Sequence, residues 1–163
     1  MKRIFFNTIS LLIAFIAITA CTSSQRSIGS YYTSEVECLE SELDGSETVL
    51  VWGFGKNRVG AIEQAKKNAV RTILFKGITS GKSDCSIKPL ILEVNAEEKH
   101  QQYFNTFFKD NGAYKQYVSM KDSKRSSMQK STNDREKKYG IIVRVLRSEL
   151  KEKLISDNII NPR

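Results

Sequence analysis

The stretch TVLVWGFGKNRVGAIEQAKKNAVRTILFKG, residues 48–77, decides the fold of this chain. Its first seven residues are mostly apolar or β-branched, which predicts a strand. After Gly55 the pattern changes, because apolar residues then recur at helical spacing from Asn57, a good N-cap, to Gly77, a good C-cap. The stretch therefore predicts a strand followed at once by a long amphipathic helix that lies back on a sheet.

Glycines surround the junction between this strand and this helix. Gly53, Gly55 and Gly60 suggest a phosphate-binding loop, but their spacing fits neither the dinucleotide fingerprint nor the Walker motif. We therefore expect a tight turn and close packing instead. A row of alanines at helical spacing supports close packing of the helix on the sheet. The row consists of Ala61, Ala65 and Ala69.

The rest of the chain supplies partners for this strand and helix. Residues 36–43 alternate in polarity and precede the turn signal Asp44-Gly45, so they form a hairpin with the first strand. Further elements are predicted as a strand at 89–94, a helix from Asn95 to about Lys109, a strand at 114–120, a strand at 139–146 and a helix from Ser148. The prediction is a two-layer α+β fold in which the long helix packs on one face of an antiparallel sheet.

The composition fits one domain of this kind. The chain is 40% hydrophobic and 27% charged, with a formal net charge of +8. Such values exclude disordered, collagen-like and multi-span membrane proteins. We expect a single domain over residues 34–163.

The N-terminus has the pattern of a secretory signal. Lys2 and Arg3 precede a nearly unbroken apolar run at residues 9–20, which is shorter than the roughly 20 residues of a membrane-spanning helix. The run ends in Ile18-Thr19-Ala20-Cys21, which resembles the lipobox at which bacterial lipoproteins are lipidated on cysteine and cleaved. We therefore expect residues 1–20 to be a lipoprotein signal peptide.

Cys21 is thus expected to be a lipid anchor and not a catalyst. Several acyl chains on one cysteine hold a protein on a membrane far longer than a single chain does. No aspartate follows Cys21 directly, so the expected location is the outer membrane, facing the periplasm. Residues 21–33 then form the lipidated cysteine and a Ser- and Thr-rich tether.

Two cysteines remain, Cys38 and Cys85. The periplasm permits disulfides, so these residues either form a bridge or are two separately buried thiols. His100 is the only histidine, which leaves too few ligands for a structural zinc site. We expect no metal and no cofactor.

One cluster could support chemistry. Glu97, Glu98 and His100 combine two carboxylates with an imidazole, as acid–base catalysis requires. Acidic residues in a first helical turn equally favour the helix dipole without any chemistry. We favour a protein that is not an enzyme, with a cell-envelope hydrolase or glycan-binding enzyme using these three residues as the alternative.

An interface with a partner is expected near the densest group of aromatic residues. Tyr103 and Phe107 form one row of the second helix, and the basic segment at 121–138 follows with Lys124 and Arg125. An exposed aromatic row gives contact area, and the basic residues would steer an acidic partner. The expected partner is an envelope protein or an anionic envelope polymer, and the compartment argues against nucleic acid.

Two motifs resemble a known family. Gly53-Phe54-Gly55 with Ala61-Ile62-Glu63-Gln64-Ala65, and Val143-Arg144-Val145-Leu146-Arg147-Ser148, are similar to segments of small outer-membrane lipoproteins. Those lipoproteins share their domain with the N-terminal domain of the flagellar-assembly T protein. The resemblance implies a helix on an antiparallel sheet and no catalytic residues. The chain also resembles Bacteroidota lipoproteins of unknown function, some of which belong to envelope machines such as type VI secretion.

Overall fold

A mixed five-stranded sheet with helices packed against it forms the fold, as a computed structural model shows. The structure describes residues 36–85, 88–120 and 137–162. The predicted signal peptide, Cys21 and the tether lie outside the described residues. Within them, no helix is long and apolar enough to cross a membrane.

The described part of the chain contains five strands, four α-helices, a π-helical turn and a 3-10 helix. In chain order they are β1 (Val36–Ser41), β2 (Glu47–Gly55), α1 (Arg58–Arg71) with a π-helical turn (Thr72–Lys76), β3 (Ser80–Gly81), α2 (Ala96–Lys99), α3 (Gln101–Phe107), a 3-10 helix (Ala113–Tyr117), β4 (Val118–Met120), β5 (Lys137–Val145) and α4 (Arg147–Ser156). The α+β fold class predicted from the sequence is confirmed.

The strand order in the sheet is β3-β1-β2-β5-β4. Three pairs are antiparallel, as predicted, and the longest joins β2 to β5 from Glu47↔Val145 to Gly55↔Lys137. The short β3 pairs parallel to β1, so the expectation of a purely antiparallel sheet is wrong at this edge. Gly81 allows this pairing because it adopts a φ of +108° and lies so close to Cys38 that a Cβ would be 2.1 Å from its carbonyl oxygen.

The long helix lies unusually close to the centre of the sheet. At Gly53 of β2, an added Cβ would be 2.0 Å from the carbonyl oxygen of Ala61 and 2.6 Å from the backbone nitrogen of Ala65. Ala61, Ala65 and Ala69 are completely buried. Gly53 and Gly55 therefore serve close packing, as predicted, and only residues without large side chains fit this contact.

Both ends of α1 confirm the sequence prediction. Asn57 caps the helix, because its Oδ1 accepts a hydrogen bond of 2.8 Å from the backbone N–H of Gly60. At the other end the π-helical turn stops at Gly77, whose backbone N–H donates to the carbonyl of Thr72 at 2.7 Å and whose positive φ of +76° favours glycine.

The predicted strand at residues 89–94 is wrong. The backbone N–H of Leu90 donates to the carbonyl of Ile73, and that of Ile91 donates to the carbonyl of Leu74, each at 2.9 Å. Carbonyls in the last turn of a helix lack partners within that helix. The segment therefore satisfies the end of the π-helical turn and does not join the sheet.

The single helix predicted from Asn95 to Lys109 is two short helices, α2 and α3, which meet at His100. Asn95 adopts a left-handed conformation, with φ of +59°, and its side chain makes no cap. Of the strand predicted at 114–120, Val118–Met120 is confirmed as β4, whereas the residues before it belong to the 3-10 helix Ala113–Tyr117. Tyr114 and Tyr117 explain this, because residues three apart share one side of a 3-10 helix and both are buried.

The C-terminal elements agree with the prediction. β5 runs directly into α4, which buries Leu150 and Leu154 in the core. The core lies between α1, the shorter helices and the inner face of the sheet, where Val49, Val51 and Val143 are fully buried.

A polar cluster joins α1 to the 3-10 helix. The buried Tyr114 donates its hydroxyl to Glu63 Oε2 at 2.7 Å, and the Lys115 ammonium lies 3.0 Å from the same atom. Lys66 lies 3.3 Å from Glu63 Oε1. Burial alone would raise the pKa of Glu63, but these hydrogen bonds and charges outweigh it and lower the pKa to about 2.

Replacing Gly53 tests the close helix–sheet contact. Gly53→Ala forces α1 away from β2, so we expect it to lower the free energy of unfolding by about 3 kcal/mol, measured by urea unfolding. Gly60→Ala is the matched control, because a Cβ there would be 3.4 Å from its nearest neighbour, Asn57 Oδ1. The control should change stability by no more than about 1 kcal/mol, in the stabilising direction. Equal changes in the free energy of unfolding for the two variants would contradict the close contact between α1 and β2.

Glu63 makes folding sensitive to acid. Its ionised form stabilises the fold at pH values above the ordinary pKa of 4.5, and this stability is lost as pH falls towards the folded-state pKa of about 2. We expect Glu63→Gln to lose less stability than the wild type over this pH window, measured by urea unfolding. Glu98→Gln, at an exposed position, should lose as much stability as the wild type. If Glu63→Gln loses as much stability on acidification as the wild type does, Glu63 is not the source of the acid sensitivity.

Candidate functional site

The sheet has an outer face, which is the side turned away from α1. Leu50, Trp52 and Phe54 of β2 lie on this face, since they alternate with the inward residues of the same strand. Ile142 of β5 lies directly opposite Leu50. These four apolar residues, the outer patch, are partly exposed and do not belong to the core cluster or to the residues packed against it.

Trp52 lies across the neighbouring strand. Gly140 is its register partner, and a Cβ on Gly140 would be 2.9 Å from two atoms of the indole ring. The missing side chain lets the ring lie over β5. The ammonium of Lys138 lies 4.6 Å from the centre of this ring and 5.7 Å from that of Phe54. Such cation–π contacts hold the aromatic side chains in place.

A polar border flanks the outer patch at the turn between β1 and β2. Arg144 of β5 donates from Nε to Ser46 Oγ at 2.6 Å and pairs with Asp44. Hydrogen bonds from the Ser46 side chain and backbone, together with the Arg144 charge, lower the pKa of Asp44. An apolar centre with an ordered polar rim is the usual composition of a protein–protein interface.

The two remaining cysteines are joined in a disulfide. The Cα atoms of Cys38 and Cys85 are 6.3 Å apart, within the usual range for a bridge. Both residues are buried. Of the two alternatives left open by the sequence, the structure contains the bridge, which fastens the segment after β3 to β1.

The three residues of the catalytic alternative do not converge on one another. Glu97 pairs with Arg71 at 2.7 Å, and His100 Nε2 lies 3.9 Å from Glu93 Oε2. Glu98 is exposed. Glu97 therefore belongs to a surface ion pair with Arg71, and the His100 ring lies beside Glu93. Among the described residues, no three His, Cys, Asp or Glu side chains are grouped as metal ligands.

The interface expected at Tyr103, Phe107, Lys124 and Arg125 needs correction. Phe107 is only 3% exposed, so its predicted role in an exposed row is wrong. It stacks on Tyr117 at 6.1 Å between ring centres, which places the 3-10 helix over the row. Tyr103 is half-buried and donates its hydroxyl to Asp157 at 2.6 Å. Lys124 and Arg125 lie outside the described residues, so their part of the interface stays a prediction.

The sequence analysis does not predict the outer patch, although the sequence contains a pattern that indicates it. Residues 48–54 are apolar at nearly every position, so a strand there presents apolar side chains on both faces. Among the described elements one long helix, α1, packs on the sheet, and it covers one of the two faces.

Comparison of the chain with protein-family models, with curated proteins and with solved structures finds no match.

Removing the disulfide should weaken the fold. A bridge that closes a loop of 47 residues stabilises by up to about 4 kcal/mol, so Cys38→Ala with Cys85→Ala should lower the free energy of unfolding by about 2–4 kcal/mol. A reductant should lower the stability of the wild type and leave the double variant unchanged, which serves as the control. Alkylation of both cysteines in the native, unreduced protein would show that the bridge does not form.

Proposed function

We propose that this protein is a lipid-anchored module of the outer membrane that faces the periplasm and docks another envelope protein. In this proposal the protein is not an enzyme. It acts as an interaction or scaffolding component, within an envelope or secretion complex.

The outer patch is the observation that carries the proposal. Leu50, Trp52, Phe54 and Ile142 form a contiguous apolar surface on an ordered sheet, outside the core of the domain. Contiguous exposed apolar patches with polar rims mark interaction sites in monomeric proteins. A sheet is also a rigid support, so binding there costs little conformational entropy.

The N-terminal sequence supports the membrane part of the proposal. Acyl chains on Cys21 would hold the protein at the bilayer, and residues 22–33 would connect them to the domain. Confinement to one membrane raises the effective concentration of a partner in the same membrane. A moderate affinity at the outer patch is then sufficient for a stable complex.

The test combines the anchor and the outer patch in cells. A photoreactive amino acid replaces Ser119, which lies on the outer face opposite Arg144 and is exposed. We expect the protein in the outer-membrane fraction and one discrete cross-linked product with an envelope protein. The double variant Leu50→Lys with Ile142→Glu should remove the product, because it replaces the apolar patch by a cross-strand ion pair that the sheet tolerates.

Two controls separate the anchor from the surface. Cys21→Ser should release the protein from the membrane fraction. Val59→Lys, at an exposed apolar position on α1, should leave both membrane binding and cross-linking unchanged. The docking proposal is wrong if the double variant folds and still cross-links as the wild type does, and the anchoring proposal is wrong if Cys21→Ser remains in the membrane fraction.

A further inference from the structure

Three large apolar side chains protrude from one end of the domain. Leu43, in the turn between β1 and β2, is completely exposed, and Leu92 and Val94 are 55% and 79% exposed. Within the described part of the chain, the other large apolar side chains that are exposed are Val59 and Met120. Single exposed apolar residues are normal in proteins, but a group of them at one end marks a contact surface.

The start of α4 brings the turn and the segment of Leu92 together. At Gly45 of the turn, an added Cβ would be 2.1 Å from the hydroxyl oxygen of Ser148. Arg147 donates from Nη2 to the carbonyl of Lys88 at 2.9 Å. The turn and the segment therefore surround one cleft, whose lining includes Gly45 and Leu92.

The charged neighbours of Leu43 have partners within the domain. Glu42 accepts a hydrogen bond of 3.2 Å from the hydroxyl of Thr48, and Asp44 pairs with Arg144. The side chain of Leu43, in contrast, is exposed over its whole surface. The tip of the turn therefore presents an apolar group to its surroundings.

The cleft between the protruding side chains has no net charge. Its lining contains three carboxylates and three cations, which are Glu47, Asp84, Glu93, Lys88, Arg147 and Lys151. Equal numbers of opposite charges attract neither an anionic nor a cationic partner strongly. The apolar part of the lining is aliphatic and consists of Pro89, Leu90, Ile91, Leu92, Ile159 and Ile160. Recognition at this end therefore depends on apolar contact.

The kind of apolar group indicates a lipid bilayer as the partner. Protein interfaces are rich in aromatic residues and arginine, packed against a surface of complementary shape. The protruding side chains here are aliphatic, and they lie on a turn and on the irregular segment 88–95. A fluid bilayer accepts separate aliphatic side chains at the boundary of its headgroups, because it needs no complementary shape.

We propose that this end of the domain inserts Leu43, Leu92 and Val94 into the surface of the membrane that holds Cys21. The inference rests on the anchoring proposed above, because the anchor raises the effective concentration of the membrane for a weak second contact. The chain between Cys21 and Val36 can span about 45 Å, whereas the six residues of β1 span about 20 Å. The far end of β1 is therefore within reach of the bilayer, and the outer face of the sheet stays free for docking.

Quenching of a fluorophore by lipid tests the contact in the full lipidated protein, reconstituted in vesicles of phosphatidylcholine alone. Lys88→Cys supplies a thiol for the label at an exposed position of the cleft, since Cys38 and Cys85 are bridged. We expect phosphatidylcholine with a nitroxide on its acyl chain to quench most of the emission. A label at Lys56→Cys, next to the opposite end of β2, is the control and should not be quenched.

A triple variant tests whether the three side chains make the contact. Leu43→Ser, Leu92→Ser and Val94→Ser together change only exposed positions, so the fold should be kept and the quenching at Lys88→Cys should be lost. Val59→Ser is the matched control, because Val59 is an exposed apolar residue at the other end of the domain. This control should leave the quenching unchanged.

Flotation of the vesicles separates this contact from the anchor. The contact is overturned if the protein floats with the vesicles but its label is not quenched, or if the triple variant is quenched as the wild type is. A protein that does not float contradicts the anchoring, and the contact with it. Quenching that requires phosphatidylglycerol in the vesicles would overturn the proposal in favour of a charge contact. A label that iodide in solution does not reach and lipid does not quench would overturn it in favour of a second copy of the chain.

Discussion

The close approach of α1 to the middle of the sheet is the constraint on which the rest of the structure depends. At Gly53 the helix backbone occupies the space of an ordinary side chain. An approach this close requires a glycine on the strand and alanines on the helix. Gly53 of β2 and the alanines of α1 meet this requirement. It seals the centre of the inner face, so the shorter helices need only cover the ends of the sheet.

A helix layer on one face has a direct consequence for the other face. β2 is apolar on both sides, and its inward residues are buried under α1, so Leu50 and Trp52 remain at the surface. A chain could avoid this exposure with polar residues at alternate positions of the strand, as most two-layer antiparallel sheets do. Here the strand departs from that pattern at the same place where Gly140 makes room for an indole ring. Both features fit a surface that is kept apolar for a partner.

The parts of the fold that the sequence predicted are those with local signals. The hairpin, α1 with its caps, β5 and α4 follow from periodicity and capping residues within a few turns of chain. The prediction of a strand at 89–94 is wrong because the backbone N–H groups of Leu90 and Ile91 donate hydrogen bonds to carbonyls of the π-helical turn. The periodicity of apolar residues does not indicate such hydrogen bonds. The prediction that Phe107 is exposed is wrong for a similar reason. The spacing of the aromatic residues indicates neither that the helix is interrupted at His100 nor that the 3-10 helix covers the row of Tyr103 and Phe107.

Sites built from distant residues were harder to predict. Glu47 and Arg147 are far apart in the sequence, and only the pairing of β2 with β5 brings them together. The disulfide was an open alternative for the same reason, since its closure depends on the path of the chain between β3 and α2. The outer patch could have been predicted from the sequence. A strand that is apolar on both faces leaves apolar side chains on the second face when a helix covers only the first.

Quenching of Trp52 fluorescence by acrylamide tests most directly whether the outer face is open, since Trp52 is the only tryptophan in the chain. Its emission reports the outer face with no contribution from the core. We predict that acrylamide quenches the native, folded protein readily, and that quenching rises further when urea unfolds it. Native emission that acrylamide does not quench until the protein unfolds would show that the outer face is covered, and would contradict the account.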